Sequence, residues 1–139
     1  MPKVKIAVAG CLGRMGQELS KQILNNKKLE FVGGFEHKKH KHVNKEFKKV
    51  SDINSSKIID SDPALSIKLA KVLIDFTTPQ ATLENIRIAS QNKTAVIIGT
   101  TGMTEAQKNK VKSYSKKIPI LMSSNMSLGV NLLFNLVKQ

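Results

Sequence analysis

The 139-residue sequence predicts an α/β fold, doubly wound, with a mostly parallel sheet and helices on both faces. Three observations carry this. Short apolar, β-branched runs alternate with amphipathic stretches along the chain, and parallel strands need such crossovers. The first apolar run ends in a glycine-rich turn that opens the first amphipathic stretch. An acidic residue, Glu36, closes the second run 20 positions past Gly16.

The elements follow in order. Residues 4–9 (VKIAVA) are apolar and end at a glycine, the pattern of a buried strand. Gly10 to Gly16 form a turn, and from Arg14 to about Asn25 the positions Met15, Leu19, Ile23 and Leu24 recur at helical spacing. Leu29 to Phe35 reads as a second strand. Residues 37–57 are polar, Lys-rich and without a clear period, and read as an insertion-like loop. Ile58-Ile59 reads as a short strand, and Asp62-Pro63 opens a helix with an N-cap followed by proline. Val72 to Phe76 is a strand, Thr78-Pro79 starts a helix to about Gln91, and Thr94 to Ile98 is a strand. Thr104 and Gln107 have capping-box spacing for a helix to about Lys116. Ile118 to Met122 is the last strand, and Leu128 to Val137 begins another helix.

Composition narrows the function classes. The formal charge is +13, which raises the question of a polyanionic partner. The basic residues, however, are 21 Lys and 2 Arg, and aromatics make up 4%. Nucleic-acid surfaces rely on Arg forks and stacking rings, so a Lys-rich bias accounts for the charge equally well. The single cysteine, Cys11, excludes an intramolecular disulfide framework and fits a reducing cytoplasm. No run approaches the ~18 apolar residues of a membrane span, and the N-terminal stretch lacks the form of a signal peptide. No nucleic-acid or membrane partner is expected.

The chemistry concentrates at the carboxyl ends of the strands. Gly10-Cys11-Leu12-Gly13-Arg14-Met15-Gly16 is a G-x-x-G-x-x-G turn between strand and helix. Glycines there allow a tight turn, a close approach of backbone to a pyrophosphate, and tight helix–strand packing. The helix start adds free N–H groups and the positive end of the dipole. The spacing departs from G-x-G-x-x-G because Cys11 occupies one glycine position, and a turn without a ligand is the plainer alternative. Glu36 sits where an acid accepts hydrogen bonds from adenosine ribose hydroxyls, which makes the pattern that of a Rossmann-type dinucleotide site. His37 and Lys38 follow it as a cationic rim able to accept a 2′-phosphate, or as part of a solvated loop. Phe76-Thr77-Thr78, Gly99-Thr100-Thr101-Gly102 and Ser123-Ser124-Asn125-Met126 lie at further strand ends. Turn and cap chemistry explains any one of these, and Thr104 reads as a cap. Asp75, an acid inside an apolar strand, needs buried partners and reads as structural. Cys11 reads as a small turn residue and not as a nucleophile. The histidines lack the Cys or carboxylate cluster of a metal site.

These residues carry a resemblance. The strand ending at Gly10, the G-x-x-G-R-M-G turn, IDFTTP at 74–79, IGTTG at 98–102 and SSNMSLGVN at 123–131 together resemble bacterial dihydrodipicolinate reductase (4-hydroxy-tetrahydrodipicolinate reductase), in its order and over nearly the whole chain. The Lys-rich region 37–57 has no counterpart in the match. The resemblance implies hydride transfer from NADH or NADPH to a cyclic dicarboxylate, giving tetrahydrodipicolinate on the diaminopimelate/lysine route. It also implies a homo-oligomer, a tetramer in the family. The cofactor residues it implies are Gly10, Cys11, Leu12, Gly13, Arg14 and Met15 for the pyrophosphate, Glu36 for the ribose and His37 for a 2′-phosphate. Phe76 and Thr77 follow, then Gly99, Thr100 and Thr101 beside the nicotinamide, and Ser123, Ser124, Asn125 and Met126. The family often has Arg where His37 stands, which leaves the choice between NAD and NADP open.

The family's second domain carries a His-His-x-x-Lys signature for the substrate, and no such segment occurs in residues 1–139. The expectation is therefore a single cofactor domain over 1–139, with no catalytic residue of its own and inactive without that second domain. Its apolar surface would lie uncovered where the rest of the family's chain packs. Two other readings stay open. One is a stand-alone dinucleotide sensor or interaction module, and the other is a basic nucleic-acid binder using residues 38–57.

Overall fold

The computed structural model describes residues 2–123. In chain order the elements are β1 (Val4–Ala9), α1 (Arg14–Asn25), β2 (Leu29–Phe35), α2 (Phe47–Val50) and α3 (Pro63–Ile67). They continue as β3 (Val72–Asp75), α4 (Pro79–Gln91), β4 (Ala95–Ile98), α5 (Glu105–Tyr114) and β5 (Ile120–Met122). The sheet runs β2-β1-β3-β4-β5 with every neighbouring pair parallel, a Rossmann-type doubly wound arrangement. From β1 the chain winds outward to β2, then crosses back to β3 on the other side. The winding reverses between β1 and β3, and the crevice above such a reversal is where open α/β sheets bind ligands.

A strand covered on both faces is apolar at every position, and β1 shows how its alternation builds two layers. Ile6 and Val8 pack with Leu19 and Ile23 of α1 on one face. Ala7 and Ala9 pack with Ile67 of α3, Ile86 and Ala89 of α4, and Val111 of α5 on the other. The α1 stripe is narrower than its periodicity predicts. Leu19 and Ile23, four apart, are buried, whereas Leu24 lies a further ~100° round the helix and stays exposed, as does Met15. In β2, a Cβ on Gly33 would come 2.8 Å from Ser66 Oγ, and one on Gly34 would come 2.7 Å from Cys11 Cβ. The absence of side chains there lets α3 and the glycine turn close on the sheet.

The Lys-rich segment departs from the expected insertion-like loop. Phe47 and Ile53 are completely buried in the α1-side core, where the Phe47 ring meets Phe31 edge-on at 5.3 Å between centroids. Its lysines stay in water: Lys38, Lys39, Lys41, Lys45, Lys48 and Lys49 are all exposed. Phe47 and Ile53 reach the core through turns and the single turn of α2, so no 2- or 3.6-residue period marks them. Ile58-Ile59 is not a strand of the sheet: only isolated bridges form, Glu46 with Ile58 and Phe35 with Asp60.

The helix starts follow their capping residues. Asp62 accepts from Ala64 N at 3.0 Å and Thr78 from Ala81 N at 3.3 Å. Thr104 and Gln107 complete a reciprocal capping box. The last three strands are a residue or two shorter than read, leaving Phe76, Thr94, Ile118 and Pro119 outside them. The helix read from Leu128 lies outside the described residues. Among the described residues no helix is long and apolar enough to cross a membrane.

Candidate functional site

The crevice between β1 and β3 is built first from missing side chains. Gly10 has φ +65°, a conformation L side chains rarely adopt, and a Cβ there would sit 3.0 Å from Thr77 Cγ2. A Cβ on Gly16 would lie 2.1 Å from Gly10 O and 2.8 Å from Cys11 Cα, so α1 is pressed directly onto the turn. The amides of the turn are already engaged. Gly10 N and Cys11 N donate to Phe35 O (3.0 and 3.3 Å), Leu12 N to Glu36 Oε1 (2.7 Å) and Gly13 N to Gly10 O (3.0 Å).

The next three amides, of Arg14, Met15 and Gly16, have no acceptor among the described residues. Gly13 stands at the N-cap of α1 and supplies no side-chain cap, unlike Asp62, Thr78 and Thr104 at α3, α4 and α5. An uncapped helix start with free N–H groups and the positive dipole end favours an anion.

Two cavities meet at this turn. The larger, about 600 Å³, takes in Gly10, Gly13, Glu36, His37, Lys38 and Thr77. The smaller, about 380 Å³, takes in Gly13, Arg14, Met15, Thr77, Gly99, Thr100 and Thr101. Phe76 lines both. Residues scattered from 10 to 101 in sequence thus share one crevice because every strand ends on the same side of a parallel sheet. Glu36 is held toward the turn by its bond to Leu12 N, and its own N–H donates to Asp60 O (3.0 Å). His37 accepts from Lys39 N through Nδ1 (3.1 Å), which fixes the ring and leaves Nε2 for other partners.

Two predicted residues of the turn line neither cavity: Leu12 packs against the α1-side core, and Cys11 is buried in it. The Cys11 side chain is completely buried against Gly34, and burial, reinforced by the charge of Glu36, pushes its thiol far above the ordinary range. It contributes small size and nothing nucleophilic. Ser123 N donates to Ile98 O (3.0 Å) beyond β4, and Ser124, Asn125 and Met126 lie outside the described residues.

The larger cavity also takes in residues that the sequence reading did not place at the site, among them Ser61, Pro63, Glu84 and Asn85. Ser61 and Pro63 arrive because the chain after Ile59 returns beside Phe35 and Glu36, a tertiary event. Asn85 did leave a mark, as a polar residue one position before Ile86 on the buried face of α4. It belongs to a cluster around the buried Asp75. Asp75 Oδ1 accepts from Thr77 N (3.0 Å), Thr77 Oγ1 (2.6 Å) and Thr82 Oγ1 (3.1 Å), and Oδ2 accepts from Asn85 Nδ2 (2.8 Å). Thr100 Oγ1 joins at 3.4 Å from Asp75 and 2.7 Å from Thr82 Oγ1, and accepts from Thr77 N (3.1 Å). The ends of β3 and β4 are thereby tied to α4. Among the described residues no group of His, Cys, Asp and Glu forms a metal site.

Comparison with known proteins bears on this geometry. The family model described as dihydrodipicolinate reductase, N-terminus, matches residues 4–126. The chain is 42% identical over 138 residues to the 4-hydroxy-tetrahydrodipicolinate reductase of Pelagibacter ubique (strain HTCC1062), covering 99% of this chain and 50% of that protein. It is 40% identical over 139 residues to that of Buchnera aphidicola subsp. Acyrthosiphon pisum (strain Tuc7), covering 99% and 51%. The dipicolinate-bound dihydrodipicolinate reductase from Paenisporosarcina sp. TG-14 superposes with a TM-score of 0.71 at 25% identity, over 94% of this chain and 50% of that one. Aspartate semialdehyde dehydrogenase with NADP from Candida albicans shares the fold, with a TM-score of 0.67 at 14% identity over 91% and 44% of the two chains. The chain spans about half the length of the curated relatives it matches. A family match over 123 positions, with a nucleotide crevice at the sheet's reversal point, leaves one assignment: the chain belongs to the dihydrodipicolinate reductase family and corresponds to its amino-terminal, pyridine-nucleotide-binding domain.

Proposed function

We propose that this chain is the cofactor domain, over residues 1–139, of an NADH- or NADPH-dependent 4-hydroxy-tetrahydrodipicolinate reductase of diaminopimelate/lysine biosynthesis. The observation that carries the reading is the pairing, across one crevice, of the uncapped start of α1 with the Glu36 carboxylate. The free amides of Arg14, Met15 and Gly16 receive the pyrophosphate, over the close backbone of Gly10 and Gly13. Glu36, already accepting from Leu12 N, takes the adenosine ribose hydroxyls with its remaining acceptor capacity, and His37 and Lys38 stand ready for a 2′-phosphate. The other half of the dinucleotide lies over the smaller cavity, against Phe76, Thr77, Gly99, Thr100 and Thr101. The family resemblance adds Ser123, Ser124, Asn125 and Met126 to the cofactor residues. Cys11 supports the turn from beneath it.

The reduced cofactor supplies the hydride; the chain binds and orients it and keeps water from one face. The family resemblance assigns dicarboxylate binding and proton delivery to the family's second domain. The dipicolinate held by the Paenisporosarcina reductase supports a cyclic dicarboxylate as substrate class. A cytoplasmic site of action agrees with the buried thiol of Cys11, and self-association into a tetramer follows the family pattern. Fluorescence titration with NADH and with NADPH tests the cofactor reading: saturation in the micromolar range is expected, weakened by Gly13→Asp, which places a negative charge at the pyrophosphate site. Folded protein that binds neither would sink it.

A further inference from the structure

Asp75 is completely buried at the carboxyl end of β3, and all the groups that donate to it are neutral. The carboxylate accepts from Thr77 N, the hydroxyls of Thr77, Thr82 and Thr100, and Asn85 Nδ2. No ion pair among the described residues includes it. A buried charge without a counter-charge is costly. The position of the charge is informative. Thr77 and Thr100, which it holds, both line the smaller cavity, which Glu36 does not, and Thr77 lines the larger one as well. Arg14, a cation on the same cavity, is exposed to solvent. Because Thr77 Oγ1 gives its proton to Asp75 at 2.6 Å, this hydroxyl offers only lone pairs to a ligand.

The nucleotide reading above, on which this inference rests, puts the nicotinamide at that end. An oxidised nicotinamide ring carries a positive charge that the reduced ring lacks. We propose that Asp75 is a positioning residue whose uncompensated carboxylate, acting through Thr77 and Thr100, biases the crevice toward the oxidised cofactor. The same bias favours the cationic character that develops as a hydride leaves the reduced ring. Asp75 therefore does more than anchor two loops.

The test is the ratio of dissociation constants for oxidised and reduced cofactor, measured by calorimetry on the chain with whichever of the NAD or NADP pairs it binds. General loosening of the fold weakens both forms together and leaves the ratio alone. Asp75→Asn is expected to raise the oxidised-to-reduced ratio by about fivefold or more, the scale for a unit charge acting through a partly buried site. In the exchanged pair Asp75→Asn/Asn85→Asp, the hydrogen bond between the two side chains is restored and the charge moves to a residue of the larger cavity. Its melting temperature should recover toward wild type while the ratio stays raised. A ratio unchanged in Asp75→Asn, or one that returns with stability in the exchanged pair, overturns the proposal. If Asp75→Asn does not fold, the exchanged pair decides alone, a wild-type ratio counting against. Wild-type protein that binds neither form overturns the nucleotide reading, and this inference with it.

Discussion

The two ends of the crevice are built on opposite principles. Around the glycine turn the site is made of backbone: glycines without side chains, amides with or without acceptors, and one helix start. At the ends of β3 and β4 it is made of side chains: a buried carboxylate, three threonine hydroxyls and an asparagine amide. The first arrangement depends on close approach and fails through steric crowding. The second depends on satisfied polarity and fails through an orphaned donor or a misplaced charge. A single site thus has one half that tolerates almost no added volume and another that tolerates volume-conserving change only if its hydrogen bonds are kept.

The sharpest way to break this contrast is Gly16→Ala. Alanine in an ordinary helix position gains about 1 kcal/mol over glycine. Here the Cβ would stand 2.1 Å from Gly10 O, and a loss of about 3 kcal/mol or more is expected from overpacking against backbone. A urea midpoint equal to or above wild type would show that the turn yields. On the side-chain end, Thr100→Val keeps the shape and removes the hydroxyl that accepts from Thr77 N. It should cost about 1–3 kcal/mol in a denaturation curve.

Glu36→Ala tests a place where the backbone half relies on a side chain, leaving Leu12 N without its 2.7 Å partner. Dinucleotide affinity should fall about tenfold, the equivalent of one lost charge-assisted hydrogen bond, with a smaller change in stability. Equal affinity in a titration would remove Glu36 from the site.

Cys11 gives a pH signature for the backbone half. Burial raises its thiol in the folded state, so the unfolded chain releases the proton first. The stabilisation is complete below the unfolded value, about 8.5, and declines by up to about 1.4 kcal/mol per pH unit above it. Melting temperatures measured from pH 8 to 10 should fall less steeply for Cys11→Ala than for wild type. The smallest effect is expected for Lys39, Lys41, Lys48 and Lys49 changed to Gln. All four are exposed, and stability should move by no more than about 0.5 kcal/mol. Nucleic-acid retention that drops on these changes would revive the basic-binder reading that composition alone leaves open.

Legibility in the sequence tracked how local each feature is. The glycine turn, the caps at Asp62, Thr78 and Thr104, and the acid after the second strand are all set by neighbours a few residues apart, and each was readable. Phe47 and Ile53 were not. They enter the core from a Lys-rich stretch without periodicity, because what buries them is the α1 face of the sheet and no pattern of their own. Ser61 and Pro63 joined the cavity for the same kind of reason, a strand-like return beside Phe35. Asp75 was recognised as an acid in need of partners, but the identity of those partners waited on α4 packing Thr82 and Asn85 against the ends of β3 and β4.

The sequence by itself determined the α/β alternation, the dinucleotide turn and the family resemblance, since strand and helix periods, capping residues and glycine spacing act within a few residues. Only the tertiary structure decided that the turn's first amides are already committed, that the Lys-rich stretch is partly core, and that three neutral threonines and an asparagine surround a bare carboxylate at the crevice. Those outcomes depend on which distant groups meet when the sheet closes. A parallel sheet brings them together at the carboxyl ends of strands far apart in the chain.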